Sequence, residues 1–164
     1  MAAGSGLARP TRSNDAMKSQ SDPFQILLVE DEPADVHLVR QALKEGEVDC
    51  SLQHVVDGFE ALEFLRRQVE SERSPGLPDL ILLDLNMPRI NGREFLAAVK
   101  ADVRFVAIPV VVLSTSAVER DISQAFQLGA AGYITKPADM NEFFSSIHQL
   151  CRYWFALARL PKGD

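Results

Sequence analysis

"DLILLDLNMPRING", residues 79–92, sets Asp84 directly behind four apolar residues and follows it with Asn86, Pro88 and Gly92. A short uninterrupted Leu/Ile run bounded by turn-forming residues suits a strand buried on both faces, as in a parallel sheet covered by helices. The carboxylate then sits at the lip of the core, where water, a cation or a ligand reaches it. Working outward, "ILLV" (26–29) and "VVVL" (110–113) share this texture, and weaker runs occur at "SLQHVV" (51–56) and "GYIT" (132–135).

Between the runs lie segments with apolar residues spaced three and four apart. In "PADVHLVRQALKEG", Pro33 suits a helix start, Val36, Val39 and Leu43 form one stripe, and Gly46 stands where the helix ends. "DGFEALEFLRRQ", "NGREFLAAVK" and "AVERDISQAFQLGA" repeat the scheme, the last closing at Gly129. Five β–α pairs in alternation predict a doubly wound α/β sandwich with helices on both faces of a parallel sheet. The polar stretch at 69–78 reads as a surface connection.

Bulk properties narrow the function. At 164 residues, 46% hydrophobic and 24% charged, the chain holds one domain with a full core plus tails. A formal charge of −6 gives no basic footprint for nucleic-acid binding. The two cysteines, Cys50 and Cys151, lack metal-ligand spacing and a disulfide framework, and His37, His54 and His148 form no ligand set. No run reaches the length of about 18 apolar residues needed to span a bilayer, and the N-terminus has no apolar secretory segment, so a cytoplasmic protein is expected. Residues 1–23 read as a flexible tail, 24–150 as the folded domain, and 151–164 as a helix extension and tail.

In an open parallel sheet the ligand site lies beyond the carboxyl ends of the strands, so the residue after each run is the informative one. Those residues are Glu30 and Asp31, Asp84, Ser114, and Lys136 with Pro137. Crowded carboxylates raise one another's proton affinity unless a cation intervenes, and an all-oxygen set suits Mg2+, which takes one or two carboxylates plus phosphate oxygens and waters. Glu30, Asp31 and Asp84, with a backbone carbonyl near Asn86, supply such a set. A phosphoryl group on Asp84 would meet Lys136 as a point charge and Ser114 as a hydroxyl donor.

The motifs "LLVED", "DLILLDLNMPRINGREF", "PVVVLSTS" and "AAGYITKP", in this order over about residues 26–150, resemble the receiver domain of two-component response regulators. That resemblance implies a flavodoxin-like (βα)5 fold with strand order 2-1-3-4-5. It also implies Asp84 as the phosphorylated aspartate, Glu30 and Asp31 as the acidic pair holding Mg2+, and the Asn86 main-chain carbonyl completing the metal shell. Ser114 and Lys136 match the family's hydroxyl and lysine, Tyr133 its switch aromatic, and a cis Lys136–Pro137 bond is the usual family form. The family's role is that of a phosphoacceptor that assists its own phosphorylation and dephosphorylation, with a sensor histidine kinase as donor.

The "STS" after the fourth run and the ending "YWFALARLP" are similar to the small response regulators that partner phytochromes, which makes a bacterial phytochrome a candidate kinase. The residues after 150 are too few for an effector domain, so signalling through a partner or through self-association is expected. Tyr153, Trp154 and Phe155 are apolar around more than one helix face, which predicts a homodimer interface along the last helix; folding back over the domain is the plainer alternative. Two rival functions are a degenerate receiver acting only as a binding module and an aspartyl-phosphate hydrolase. The hydrolase expects a second Asp two residues after the nucleophile, where this chain has Asn86.

Overall fold

The computed structural model describes residues 23–47, 49–73, 76–87 and 89–157. Most of the expected N-terminal tail and the end of the C-terminal one lie outside these residues. Five strands and five helices alternate: β1 (Phe24–Val29), α1 (Pro33–Glu45), β2 (Cys50–Val55), α2 (Gly58–Glu70), β3 (Leu80–Leu83), α3 (Gly92–Ala101), β4 (Val110–Ser114), α4 (Glu119–Gln127), β5 (Gly132–Thr135) and α5 (Met140–Arg152). A π-helical turn, Tyr153–Leu157, prolongs α5. The strands form one sheet in the order β2-β1-β3-β4-β5, every neighbouring pair parallel, as expected.

Alternation along each strand sorts the apolar runs onto two faces. Leu27, Val29, Ile81, Leu83, Val110 and Val112 pack with Ala61, Leu65, Phe95, Leu96 and Val99 of α2 and α3. Ile26, Leu28, Leu80, Leu82, Val111 and Leu113 pack with Val36, Val39 and Leu43 of α1 and Phe143, Ile147 and Leu150 of α5. At about 1.5–3 kcal/mol for each fully buried large apolar side chain, this core is large enough to offset a costly cluster of charges at one sheet edge. By contrast, α4 buries only Ala125, which makes it the most weakly anchored helix.

The helix starts are read from their caps. Glu32, Asp57, Asn91 and Asp139 each accept a hydrogen bond from a backbone N–H of the first turn they precede. At the other end, Gly129 takes φ 103, a left-handed geometry natural to glycine. Gly46 does not: it closes α1 at φ −74, and Glu47 one residue later takes the left-handed conformation at φ 51. No described helix is long and apolar enough to cross a membrane.

The register positions the functional edge. Val29 pairs with Leu83, and Leu83 with Val112, so the chain ends of β1, β3 and β4 are level. Ser114 pairs with Thr135, the residue before Lys136.

Candidate functional site

Glu30 and Asp84 each follow the last paired residue of adjacent strands, which sets their side chains together at the same edge. Glu30 is 2% exposed and Asp84 8% exposed, whereas Asp31 is open to solvent. One carboxylate oxygen from each of Glu30, Asp31 and Asp84 lies within 4.8 Å of the others. Three hard oxygen donors, one facing water, fit a divalent cation of the Mg2+ or Mn2+ type and leave its remaining positions to water or phosphate oxygens.

The electrostatics support that fit. Burial, the largest influence, pushes the Glu30 carboxyl up from 4.5 to about 7, against the opposing pull of Lys136. Asp84 is likewise raised above the ordinary carboxylate range by burial; the Lys136 charge and the Asn86 N–H oppose the rise and Asp31 adds to it. A bound cation would relieve this crowding. Asp84 Oδ1 accepts the Asn86 N–H at 3.2 Å in a local turn, which places exposed Asn86 beside the acidic set.

Lys136 enters from the end of β5, its own N–H donated to the Ser114 carbonyl at 2.7 Å. Its Nζ donates to Glu30 Oε2 at 2.7 Å and Asp35 Oδ2 at 2.8 Å, and lies 3.9 Å from Asp84 Oδ2. Burial works against its charge, but the bonds to Asp35 and Glu30 more than offset this and hold its pKa above the ordinary lysine value. Every described peptide bond is trans, including Lys136–Pro137, in contrast to the expected cis form. The ammonium is aimed into the site by its two carboxylate partners.

Ser114 is fully buried at the end of β4, its Oγ accepting the Ser116 N–H at 3.2 Å. Half-buried Tyr133 packs on the α2–α3 side of the core, and its hydroxyl donates to the Ser116 carbonyl at 2.8 Å. Ser116 also donates through Oγ to Asp121 Oδ2 at 2.6 Å, and Asp121 accepts from Arg93 at 3.1 Å. A continuous polar path therefore runs from the Ser114 hydroxyl at the end of β4 to α4 and α3.

The remaining predicted positions separate. Phe155 stacks edge-on against Phe24, with ring centroids 3.9 Å apart, and Trp154 packs on the α1–α5 side of the core. These two side chains fold back over their own domain, and only Tyr153, 53% exposed, faces outward. His54 and His148 bond to the backbone carbonyls of Glu30 and Ala42, which gives both a packing role.

Two contributions escaped the sequence reading. Asp35 was legible only as an acid in the first turn of the helix that starts at Pro33. Asp57, 2% exposed, caps α2 and receives Arg89 Nε at 2.6 Å. Burial would raise its carboxyl, but the Glu60 N–H and the Arg89 guanidinium outweigh it and hold it below the ordinary range. Arg89, at φ 60 and with its guanidinium over the Phe59 ring, ties the β3–α3 loop to α2. The capping pattern three residues before Glu60 marks Asp57; nothing local marks Arg89 as its partner.

Comparison with known proteins adds independent weight. A family model described as the response regulator receiver domain matches residues 26–148. Response regulator Rcp1 of Synechocystis is 41% identical over 146 residues, covering 88% of this chain and 99% of the relative. Among solved structures, the phosphorylated cyanobacterial phytochrome response regulator RcpA is 42% identical with a TM-score of 0.78, covering 85% of this chain and 99% of its own. The Mn2+-bound form of Rcp1 is 41% identical with a TM-score of 0.77, covering 85% and 100%.

Proposed function

This chain belongs to the response regulator receiver family, and on that premise we propose that it accepts a phosphoryl group on Asp84 from the phosphohistidine of a sensor histidine kinase. The observation that carries the reading is the convergence of Glu30, Asp31 and Asp84 within 4.8 Å, with the Lys136 ammonium 3.9 Å from Asp84 Oδ2. A degenerate binding module would have lost some member of this set.

In the proposed transfer, an Asp84 carboxylate oxygen attacks phosphorus in line as the bond to the donor nitrogen breaks, and that bond's electron pair stays with the imidazole. Glu30, Asp31 and Asp84, with the Asn86 carbonyl, would hold a Mg2+ ion, which would supply charge neutralisation for the transferring oxygens. Lys136 supplies a second positive charge, and the Ser114 hydroxyl donates to a phosphoryl oxygen. Drawing Ser114 inward pulls on the Ser116 backbone, which Tyr133 holds from the other side, so Tyr133 repacks against the weakly anchored α4. The outcome is a shift between two packings.

We take the kinase to be of the phytochrome type, on the likeness to Rcp1 and RcpA, and the compartment to be the cytoplasm. The outward-facing Tyr153 at the end of α5 supports a contact with a second copy of the chain. Sedimentation of wild type against Tyr153→Ala at micromolar concentration tests it, and a monomeric wild type refutes it.

The central test is direct. With Mg2+ and acetyl phosphate, the intact protein should gain one phosphoryl group by mass spectrometry, chelation should prevent it, and Asp84→Asn should gain none. Full labelling of Asp84→Asn would reassign the acceptor.

A further inference from the structure

Lys136 has more negative partners than its role as a phosphoryl ligand requires. Of the three carboxylates near its Nζ, the two in hydrogen-bond range are Glu30 at 2.7 Å and Asp35 at 2.8 Å, while Asp84 stands at 3.9 Å. The ammonium is thus drawn away from the acceptor and toward the first turn of α1. Asp35 is outside the acidic set that converges for a cation, which consists of Glu30, Asp31 and Asp84. Its side chain is 27% exposed, and its Lys136 bond is the one hydrogen bond described for its carboxylate.

We propose that Asp35 is a positioning residue: it holds Lys136 in reserve and competes with the incoming phosphoryl oxygens for the same ammonium. The inference rests on the phosphoacceptor reading above. A phosphoryl group on Asp84 gains Lys136 only as the Asp35 pair lengthens or breaks, so the strength of that pair sets part of the cost of reaching the phosphorylated packing. The competition has two consequences of opposite sign. Without the Asp35 charge, Lys136 is freer to meet an oxyanion on Asp84, which favours phosphorylation. The same freed ammonium bears more fully on Glu30 and Asp84, which disfavours a cation in the absence of phosphate. A residue that merely supported the fold would move both affinities in one direction.

The experiment uses the full chain in two titrations, Mn2+ alone by calorimetry and beryllofluoride at saturating Mg2+, with wild type, Asp35→Asn, a second neutral variant Asp35→Ser, the charge-retaining Asp35→Glu, and Glu32→Gln. Glu32, exposed and capping α1, removes the same charge from the same helix start without touching Lys136. Losing a partly exposed charge-assisted hydrogen bond should raise beryllofluoride affinity about threefold to tenfold in both neutral variants and lower Mn2+ affinity by about twofold or more. Asp35→Glu and Glu32→Gln should stay within about twofold of wild type. Equal shifts in Asp35→Asn and Glu32→Gln would overturn the proposal, since a general field effect would then suffice; so would unchanged or same-direction affinities in the neutral variants. A wild type that binds no beryllofluoride would instead remove the phosphoacceptor reading and this proposal with it.

Discussion

In the cation-free protein, stability should fall as pH rises from about 5 to 8, and Glu30 should carry most of the fall. Its carboxyl is 2% exposed at the end of β1, and burial lifts it from 4.5 to about 7. Between those values the folded chain keeps a proton that the unfolded chain has released, so stability declines with rising pH across that window. Asp84 is raised in the same direction, and the two carboxyls titrate as a pair. At 1.36 kcal/mol per pH unit, the stabilisation that Glu30 alone loses by pH 8 is on the order of 3 kcal/mol. Other shifted groups act elsewhere. Asp57, Asp102 and Asp121 lie below their ordinary values, so what they contribute is lost only in acid, while Lys136, raised, keeps its contribution until strongly alkaline pH. Denaturant unfolding of wild type and Glu30→Gln from about pH 5 to pH 8 in a chelator isolates the effect, because the variant should keep only the smaller part of the slope that Asp84 contributes. Saturating Mg2+ should oppose the slope, since the cation takes the ionised carboxylates and its stabilisation, RT ln(1 + [L]/Kd), grows as protons leave. Parallel pH profiles for wild type and Glu30→Gln would refute the reasoning.

Three further outcomes follow from particular contacts. Arg89→Ala strips the counter-charge from Asp57 and should cost about 1–3 kcal/mol, a loss that a double-mutant cycle with Asp57→Asn should show to be shared. Gly92→Ala should cost about 1–3 kcal/mol by urea midpoint, because the added Cβ would meet the Asp84 carbonyl oxygen and lie 2.5 Å from the Leu85 Cα; a neutral substitution would refute the tight approach of α3 to the end of β3. Phe155→Ala removes the edge-on contact with Phe24 and should lower stability by about 1–2 kcal/mol in thermal melts, and an unchanged melt would show that the π-helical turn is not docked.

The sheet was legible because parallel strands buried on both faces must be apolar at consecutive positions, and Leu80–Leu83 and Val110–Ser114 are buried throughout. The edge strand Gly132–Thr135 gave a weaker pattern for the same reason: it is only partly covered. Helix starts were legible through their caps and the stop of α1 at Gly46 from its glycine, but that the left-handed turn falls on Glu47 was not. The C-terminal aromatics show where pattern reading ends. Apolarity on several helix faces says that something covers them, and it cannot say whether the cover is Phe24 of the same chain or another molecule.

The site divides along a similar line. Glu30, Asp84, Ser114 and Lys136 were found by a rule about strand ends that needs only the order of elements, and the register makes that rule hold by bringing β1, β3 and β4 level. Asp35 and Arg89 depend instead on how the first turn of α1 and the β3–α3 loop are aimed, which neither spacing nor composition records. The difference alters the chemistry. Read from strand ends alone, Lys136 is an ammonium waiting for a phosphoryl group. With Asp35 in place it already has two full hydrogen bonds to carboxylates before any phosphoryl arrives, and three carboxylates stand around one ammonium. On the proposed reading, a site so biased toward negative charge would take a cation first and a phosphoryl group second, because only after a cation had neutralised Glu30 and Asp84 would releasing Lys136 from Asp35 cost little.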